Sequence, residues 1–287
     1  MKNSKHALGL AGLLSVLGYE APSKKSYVDY NEISAGDKAV IITGAEVKDE
    51  ERPFIHNSFW VYTAQVYHEL LKNGYKPENI FVLYLDGKPV LDDPATKDKI
   101  AELRMEFNGS YNNIATAENV KALLNDLENT IKPEERFTVY FMQHGSASPW
   151  GKIGFEHDHS SMRGYDLDTI LEGNQSEQIM VVVNSCYSES FTKNIKHKAI
   201  TISSTKEGEE GAGNREYSFA VFFSEEMNNP KNDADKNGTV SPEEAFQTAK
   251  VRNETYLRNL EESLKEDPEG LEEFSWVGFT PTYRENK

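Results

Sequence analysis

The sequence predicts an α/β fold, a three-layer α/β/α sandwich with a mostly parallel sheet, formed by one domain over residues 36–287. Two patterns predict it. Short runs that are apolar throughout end in glycine or polar residues, as strands buried on both faces of a sheet do. These runs alternate with stretches of helical periodicity, which implies βαβ units, right-handed crossovers and helices on both faces. A composition of 38% hydrophobic and 27% charged residues over 287 positions lies in the globular range.

Residues 38–44 (KAVIITG) read as the first strand. Phe59, Tyr62, Val66 and Leu70 then recur at helical spacing, and Asn73-Gly74 supplies a C-terminal stop. Residues 80–85 (IFVLYL) form the second strand. Beyond a long polar loop, Thr116 caps a helix whose Val120, Leu123, Leu124 and Leu127 share one stripe. Residues 137–142 (FTVYFM) give the third strand, 150–155 a small extended excursion and 165–171 a short helix. Residues 179–183 (IMVVV) and 199–203 are the fourth and fifth strands. A charged helix follows Pro242 to about Leu264, with Ala245, Phe246, Ala249, Tyr256, Leu257 and Leu260 as packing positions.

Lys and Arg number 31 against 47 Asp and Glu, a formal charge of −16. No Lys/Arg-rich run offsets it, which excludes a general nucleic-acid binder. The single cysteine, Cys186, excludes an intrachain disulfide and a multi-cysteine zinc site. No stretch reaches the ~18 apolar residues that span a bilayer, so no stable membrane span is expected. Lys2, Lys5 and His6 precede an apolar run over residues 7–18 (ALGLAGLLSVLG), the order of a secretory signal, and residues 1–21 are read as one. A secreted or extracytoplasmic protein is then expected; a short buried N-terminal helix in a cytoplasmic protein is the alternative.

In an open parallel sheet, ligands and chemistry collect outside the carboxyl ends of the strands. The third strand runs into Gln143-His144-Gly145-Ser146 and the fourth into Asn184-Ser185-Cys186-Tyr187-Ser188, so both motifs emerge on one edge. Cys186 is the candidate nucleophile. Residues 188–193 are expected to form a helix whose N-terminus lowers the thiol pKa. His144 can take or deliver the proton that acyl transfer needs, and the N–H groups of Gly145 and Cys186 can receive a developing oxyanion. A lone cysteine at a strand end is ordinarily a small buried hydrophobe, and a lone histidine a satisfied polar residue. The coincidence of both at successive strand ends is what favours a Cys/His site.

These two motifs resemble the His-Gly and Ser-Cys-x-Ser signatures of caspase-like cysteine peptidases, legumain-type (asparaginyl endopeptidase) members most closely. The order of elements over residues 38–228 is similar to theirs. The resemblance implies a caspase-hemoglobinase fold and a polypeptide substrate. It implies that Cys186 attacks a peptide carbonyl, that His144 protonates the leaving amine, and that the Gly145 and Cys186 amides form the oxyanion hole. It places Asn57, Asn184, Ser203 and Ser204 on the substrate side: Ser203 and Ser204 as pocket walls, Asn57 in place of the asparagine that orients the histidine. The sequence also departs from the pattern. Phe54-Ile55-His56-Asn57-Ser58 stands where an arginine-histidine pair helps hold an asparagine side chain, and Asn184 where the metacaspase-like branch is often acidic. Neither asparagine nor a basic residue is therefore specified at the cleavage position.

Residues 233–244 fit the calcium-loop pattern throughout. Oxygen donors fall at Asp233, Asp235, Asn237 and Ser241, Gly238 makes the turn, Thr239 offers its carbonyl, and Glu244 can bind bidentately. The same Ser241, Pro242 and Glu244 would also cap a helix without any metal. With three carboxylates and no paired second loop, weak Ca2+ binding is expected, of use where calcium is abundant. His157-Asp158-His159 alternates direction in a loop and lacks the further donors a metal set needs. The sequence thus points to a cysteine endopeptidase acting through a Cys/His dyad and a thioester. Transamidation by the same chemistry, or a calcium-binding interaction module with a vestigial dyad, are the alternatives.

Overall fold

A computed structural model describes residues 36–44, 56–84, 111–147, 150–211, 218–264 and 280–286. In chain order the elements are β1 (Lys38–Thr43), α1 (His56–Lys72), β2 (Ile80–Tyr84), β3 (Tyr111–Asn113), α2 (Ala117–Glu128), β4 (Arg136–Met142), β5 (Gly145–Ser146), β6 (Lys152–Phe155), β7 (Ser160–Arg163), α3 (Gly164–Leu171), β8 (Gln178–Asn184), α4 (Ser188–Thr192), β9 (Ile200–Ser203), α5 (Phe219–Met227), α6 (Pro242–Leu264) and β10 (Thr282–Glu285). Seven strands form the central sheet in the order β10-β9-β8-β4-β1-β2-β3. Every pairing is parallel except that of β10 with β9. The expected excursion is a separate antiparallel sheet, β5-β6-β7.

The period of two along each strand divides the core into two apolar layers. Ala39 and Ile41 of β1, Tyr140 and Met142 of β4 and Val182 of β8 face α1, α5 and α6, where they meet Val66, Phe223 and Phe246. Val40, Ile42, Phe141 and Val183 face the other way, against Leu123 and Leu124 of α2, Leu167 of α3 and Phe191 of α4. This is the expected three-layer sandwich. Continuous apolar runs were legible as strands because neither face of the inner strands meets water.

Local chemistry fixes the element ends. Thr116 Oγ1 accepts the N–H of Asn119 at 3.1 Å and caps α2. Helix α1 ends in a Schellman turn, with Tyr75 N–H donating to Leu70 O and Gly74 N–H to Leu71 O, both at 3.1 Å. Gly74 sits there at φ +92°, a conformation that a side chain makes costly. Beyond the excursion at 150–155, four strands were not expected from sequence: β5 and β7 of the small sheet and β3 and β10 of the central one. Both β3 (YNN) and β10 (TYRE) lie at the sheet margins, are short, and carry no apolar run to mark them. Residues 1–35, including the expected signal segment, lie outside the described residues.

Candidate active site

Strands β4 and β8 are neighbours, and their last paired residues are Met142 and Asn184. Gln143 N–H continues the pairing by donating to Asn184 O at 3.3 Å. His144 and Cys186 therefore each stand two residues past the same rung, at the carboxyl edge of the sheet. The alternation that puts Met142 on the α1/α5 face returns position 144 to that face, and the His144 ring meets Phe59 of α1 edge-on, centroids 6.1 Å apart. Its carbonyl accepts the N–H of Gly154 from β6 at 2.9 Å, so the small antiparallel sheet anchors the histidine backbone.

Cys186 is half-buried. Its thiol donates to the carbonyl of Gly211 at 3.5 Å. Burial pushes the thiol pKa up, and the charge of Glu210 adds to the rise. The helix-terminus effect expected from sequence is thus outweighed: α4 is only five residues long, and desolvation of the thiolate dominates. Tyr187, which follows, is left-handed at φ +54°. Its N–H donates to Glu209 O at 2.7 Å and its hydroxyl to Glu210 Oε1 at 2.5 Å. That hydrogen bond to a carboxylate pushes the Tyr187 pKa up to about 12.

Asn184 lies at this edge with its Oδ1 accepting the N–H of Ala220 from α5 at 3.4 Å. Of Ser203 and Ser204, expected beside the substrate, Ser204 directs its hydroxyl into the turn around the cysteine and Ser203 toward the last residue of α4. Ser203 Oγ meets Thr192 Oγ1 at 2.6 Å, and Ser204 Oγ accepts the Ser185 N–H at 3.2 Å. Asn57 is in the first turn of α1, but its side chain, like residues 45–55, lies outside the described residues. Two contributors were missed in the sequence: the segment Glu209–Gly211, which arrives from beyond β9, and the hydroxyls of Ser188 and Thr205, which meet at 3.0 Å. Neither belongs to a periodic pattern, so only the adjacent Ser203-Ser204-Thr205 triplet hinted at them.

A cavity of about 650 Å³ opens elsewhere, lined by Tyr75, Arg136, Thr138, Ile179 and Val240 among others, at the amino-terminal edge of the sheet. It holds neither His144 nor Cys186. His144 and Cys186 stand instead at the carboxyl strand ends, each two residues past the same rung.

In the calcium-type loop, ligand atoms of Asp233, Asp235 and Glu244 lie within 4.8 Å of one another. Glu244 Oε1 accepts the N–H groups of Ala234 (2.8 Å) and Asp235 (3.3 Å), while Oε2 accepts Ser241 N–H (2.9 Å) and Oγ–H (2.8 Å). Asp233 Oδ2 accepts Gly238 N–H at 3.0 Å, and Asn237 Oδ1 accepts Thr239 N–H at 2.9 Å. The oxygens of Asp233, Asp235 and Glu244 are thus gathered around one point, and that donor chemistry suits a hard divalent cation. Asp158 of the His157-Asp158-His159 segment accepts Ser160 N–H at 3.0 Å, and the segment joins no metal-type cluster among the described residues. No helix among the described residues is long and apolar enough to cross a membrane.

A search of curated proteins finds none that match. Among solved structures, the chain is similar to the crystal structure of protein GSU0716 from Geobacter sulfurreducens, with 10% identity and a TM-score of 0.49, over 86% of this chain and 92% of that one. The model of the peptidase C13 family matches residues 39–262, a span that opens in β1, takes in both strand ends and the acidic loop, and closes near the end of α6. With most of its length inside that match and the three-layer sheet of the caspase-hemoglobinase fold, the chain belongs to the peptidase C13 family, the legumain family of cysteine peptidases.

Proposed function

We propose that the chain is a cysteine endopeptidase in which Cys186 is the nucleophile and His144 the proton carrier. The observation that supports this reading is the shared rung: both residues stand two positions beyond Met142 and Asn184 on adjacent strands, and Gly145 abuts the Cys186 backbone. In this reading the Cys186 thiolate, its proton passed to His144, adds to the peptide carbonyl. The N–H groups of Gly145 and Cys186 hold the oxyanion. Collapse of the adduct breaks the C–N bond, and the proton on His144 goes to the leaving amine. Water, deprotonated by His144, then adds to the thioester and releases the acid and the thiol. Asn184 and Asn57 lie on the substrate side of this scheme. Ser204 serves it through the cysteine turn its hydroxyl binds, and Ser203 through the end of α4.

The buried, protonated thiol is the resting state. Substrate binding displaces the thiol from Gly211 O and brings His144 into play, which is the step at which the thiolate forms. The test is a mixed peptide library incubated with native protein and with Cys186→Ala. Cleavage by the first and none by the second, with unchanged circular dichroism, is expected; equal cleavage by both would end the proposal.

We further propose that residues 233–244 bind Ca2+ through Asp233, Asp235, Asn237, Ser241, Glu244 and the Thr239 carbonyl. Val240 packs against the α1/α5/α6 core layer, so the cation would brace that layer. Calcium is plentiful outside the cytoplasm, which agrees with residues 1–21 acting as a secretory signal. N-terminal sequencing of the protein from a secreting host tests the latter, an intact Met1 counting against it.

A further inference from the structure

Cys186 and Tyr187 form a turn that the chain would not hold unaided. A left-handed tyrosine is unfavourable, and such a conformation persists only where its surroundings over-determine it. The surroundings come chiefly from one residue on the loop after β9. Thr205 Oγ1 accepts the N–H of Ser188 at 3.0 Å and donates to the carbonyl of Ser185 at 3.1 Å. Its own N–H donates to Ser188 Oγ at 2.9 Å, and its carbonyl accepts the Ser188 hydroxyl at 3.2 Å and the Glu189 N–H at 3.1 Å. The two hydroxyls also lie 3.0 Å apart, so either can turn its proton to the other within the same cluster. Thr205 and Ser188 are 1% and 0% exposed, so no water competes for these bonds.

Thr205 thus grips the backbone one residue before the cysteine and two residues after it, with Cys186 and the left-handed Tyr187 held between. We infer that Thr205 is a positioning residue, whose hydroxyl fixes the turn so that the Cys186 thiol and N–H face the His144 side of the edge. The chemistry selects threonine or serine here. Valine has the same shape but cannot hold Ser185 O and Ser188 N–H together: it would leave the Ser188 N–H buried without its acceptor and Ser185 O with only the Ser204 hydroxyl at 3.3 Å. The consequence for turnover rests on the peptidase reading; the consequence for the thiol does not.

The experiment compares Thr205→Val with Thr205→Ser and with Ser176→Ala. The last is a matched control at the opposite edge of the sheet, where a buried hydroxyl donates to Glu135 O at 2.5 Å and accepts Gln178 N–H at 3.0 Å. For each, kcat and KM on a cleaved peptide and the pH profile of iodoacetamide labelling of Cys186 are measured well below the unfolding range, and Tm is determined separately by thermal unfolding. Thr205→Val is expected to lose about 10- to 100-fold in kcat, the scale of ångström misplacement, with KM little changed and the labelling profile displaced. Thr205→Ser should restore both. Ser176→Ala should lower Tm while leaving kcat and labelling as in the parent. A Thr205→Val protein with parental kcat and labelling overturns the inference, as does an equal loss in Ser176→Ala. Should Thr205→Val not fold, Ser188→Ala removes the reciprocal hydroxyl and must show the displaced labelling; a parental profile there overturns it too. If the parent cleaves no peptide, the peptidase reading falls, and the labelling comparison still decides the role of Thr205.

Discussion

A Cβ placed on Gly145 would stand 2.0 Å from the carbonyl oxygen of Cys186 and 2.9 Å from Ser185 Oγ. The two strand ends therefore press together backbone against backbone, and any side chain at position 145 must drive them apart. Gly145→Ala is expected to cost about 1–3 kcal/mol of stability through overpacking. Because the same displacement misaligns the proposed oxyanion donors, peptide cleavage should fall by roughly 100-fold or more. Urea unfolding paired with peptide turnover checks both; a stable, fully active alanine variant would show that the contact is dispensable.

The thiol offers a second measurement. Burial holds the Cys186 pKa above the ordinary thiol value, with Glu210 contributing in the same direction. Iodoacetamide labelling of the free protein should accordingly be slow near neutrality and accelerate only as pH rises past the usual thiol midpoint of about 8.5. Removing the negative neighbour favours the thiolate, so Glu210→Gln should move that midpoint to lower pH. A labelling curve that stays in place in Glu210→Gln, or a parent labelled rapidly in mildly acidic solution, would contradict this account.

Much of this arrangement was legible because its signals are local. The alternation of Ala39 and Ile41 against Val40 and Ile42 marks a strand buried on both faces, and the polar residues that end the β4 and β8 runs mark where chemistry can emerge. What was not legible depends on partners far away in sequence. Strand β10 reads TYRE and becomes a strand only by pairing with β9, Tyr283 opposite Ile202. The raised thiol pKa depends on burial and on Glu210, which is separated from the cysteine in sequence by α4 and β9. A helix start after Cys186 was predicted and is present, but its electrostatic benefit was overestimated, since nothing in the sequence reveals how far Sγ is desolvated. Ser203 and Ser204 were expected as pocket walls, and only the fold shows that Ser204 and Thr205 bind backbone groups of the cysteine turn while Ser203 meets the Thr192 hydroxyl.

Arg284 carries the third prediction. From β10 its guanidinium donates to the carbonyls of Thr192, Lys193 (3.4 Å) and Ile195 (2.9 Å), closing the C-terminal end of the helix that starts beside the cysteine. Desolvation lowers its pKa, though it remains a cation at any working pH. Arg284→Met keeps the apolar stem but removes the charged donor that ties the three carbonyls to the edge strand, leaving them the Ile195 N–H, the Lys196 ammonium and the Asn286 amide. A loss of about 1–3 kcal/mol in urea unfolding is expected, with hydrogen exchange rising at β10 and at the end of α4. Unchanged stability would mean that water replaces the guanidinium without penalty.

The acidic loop yields a prediction with a sign that pH and calcium test separately. Glu244 is held well below the usual carboxylate range, at about 2, chiefly by the Ser241 N–H, then by the Ser241 hydroxyl and the Ala234 N–H. A carboxylate whose folded pKa is depressed contributes stability that is fully present above its unfolded value, about 4.3, and is lost as pH falls toward the folded one. Between those limits Glu244→Gln should flatten the acid limb of the stability curve. Calcium acts on the same oxygens by mass action: an ion bound only by the folded loop raises stability as RT ln(1 + [Ca2+]/Kd). At pH 7 the Tm of the parent should therefore climb with millimolar calcium relative to chelator, while Asp233→Asn and Glu244→Gln stay flat. Coincident melting curves for the parent with and without calcium would leave Glu244 as a helix cap and nothing more. Such a result would not touch the Cys/His proposal, because the loop lines the cavity at the amino-terminal edge of the sheet and His144 and Cys186 stand at the other.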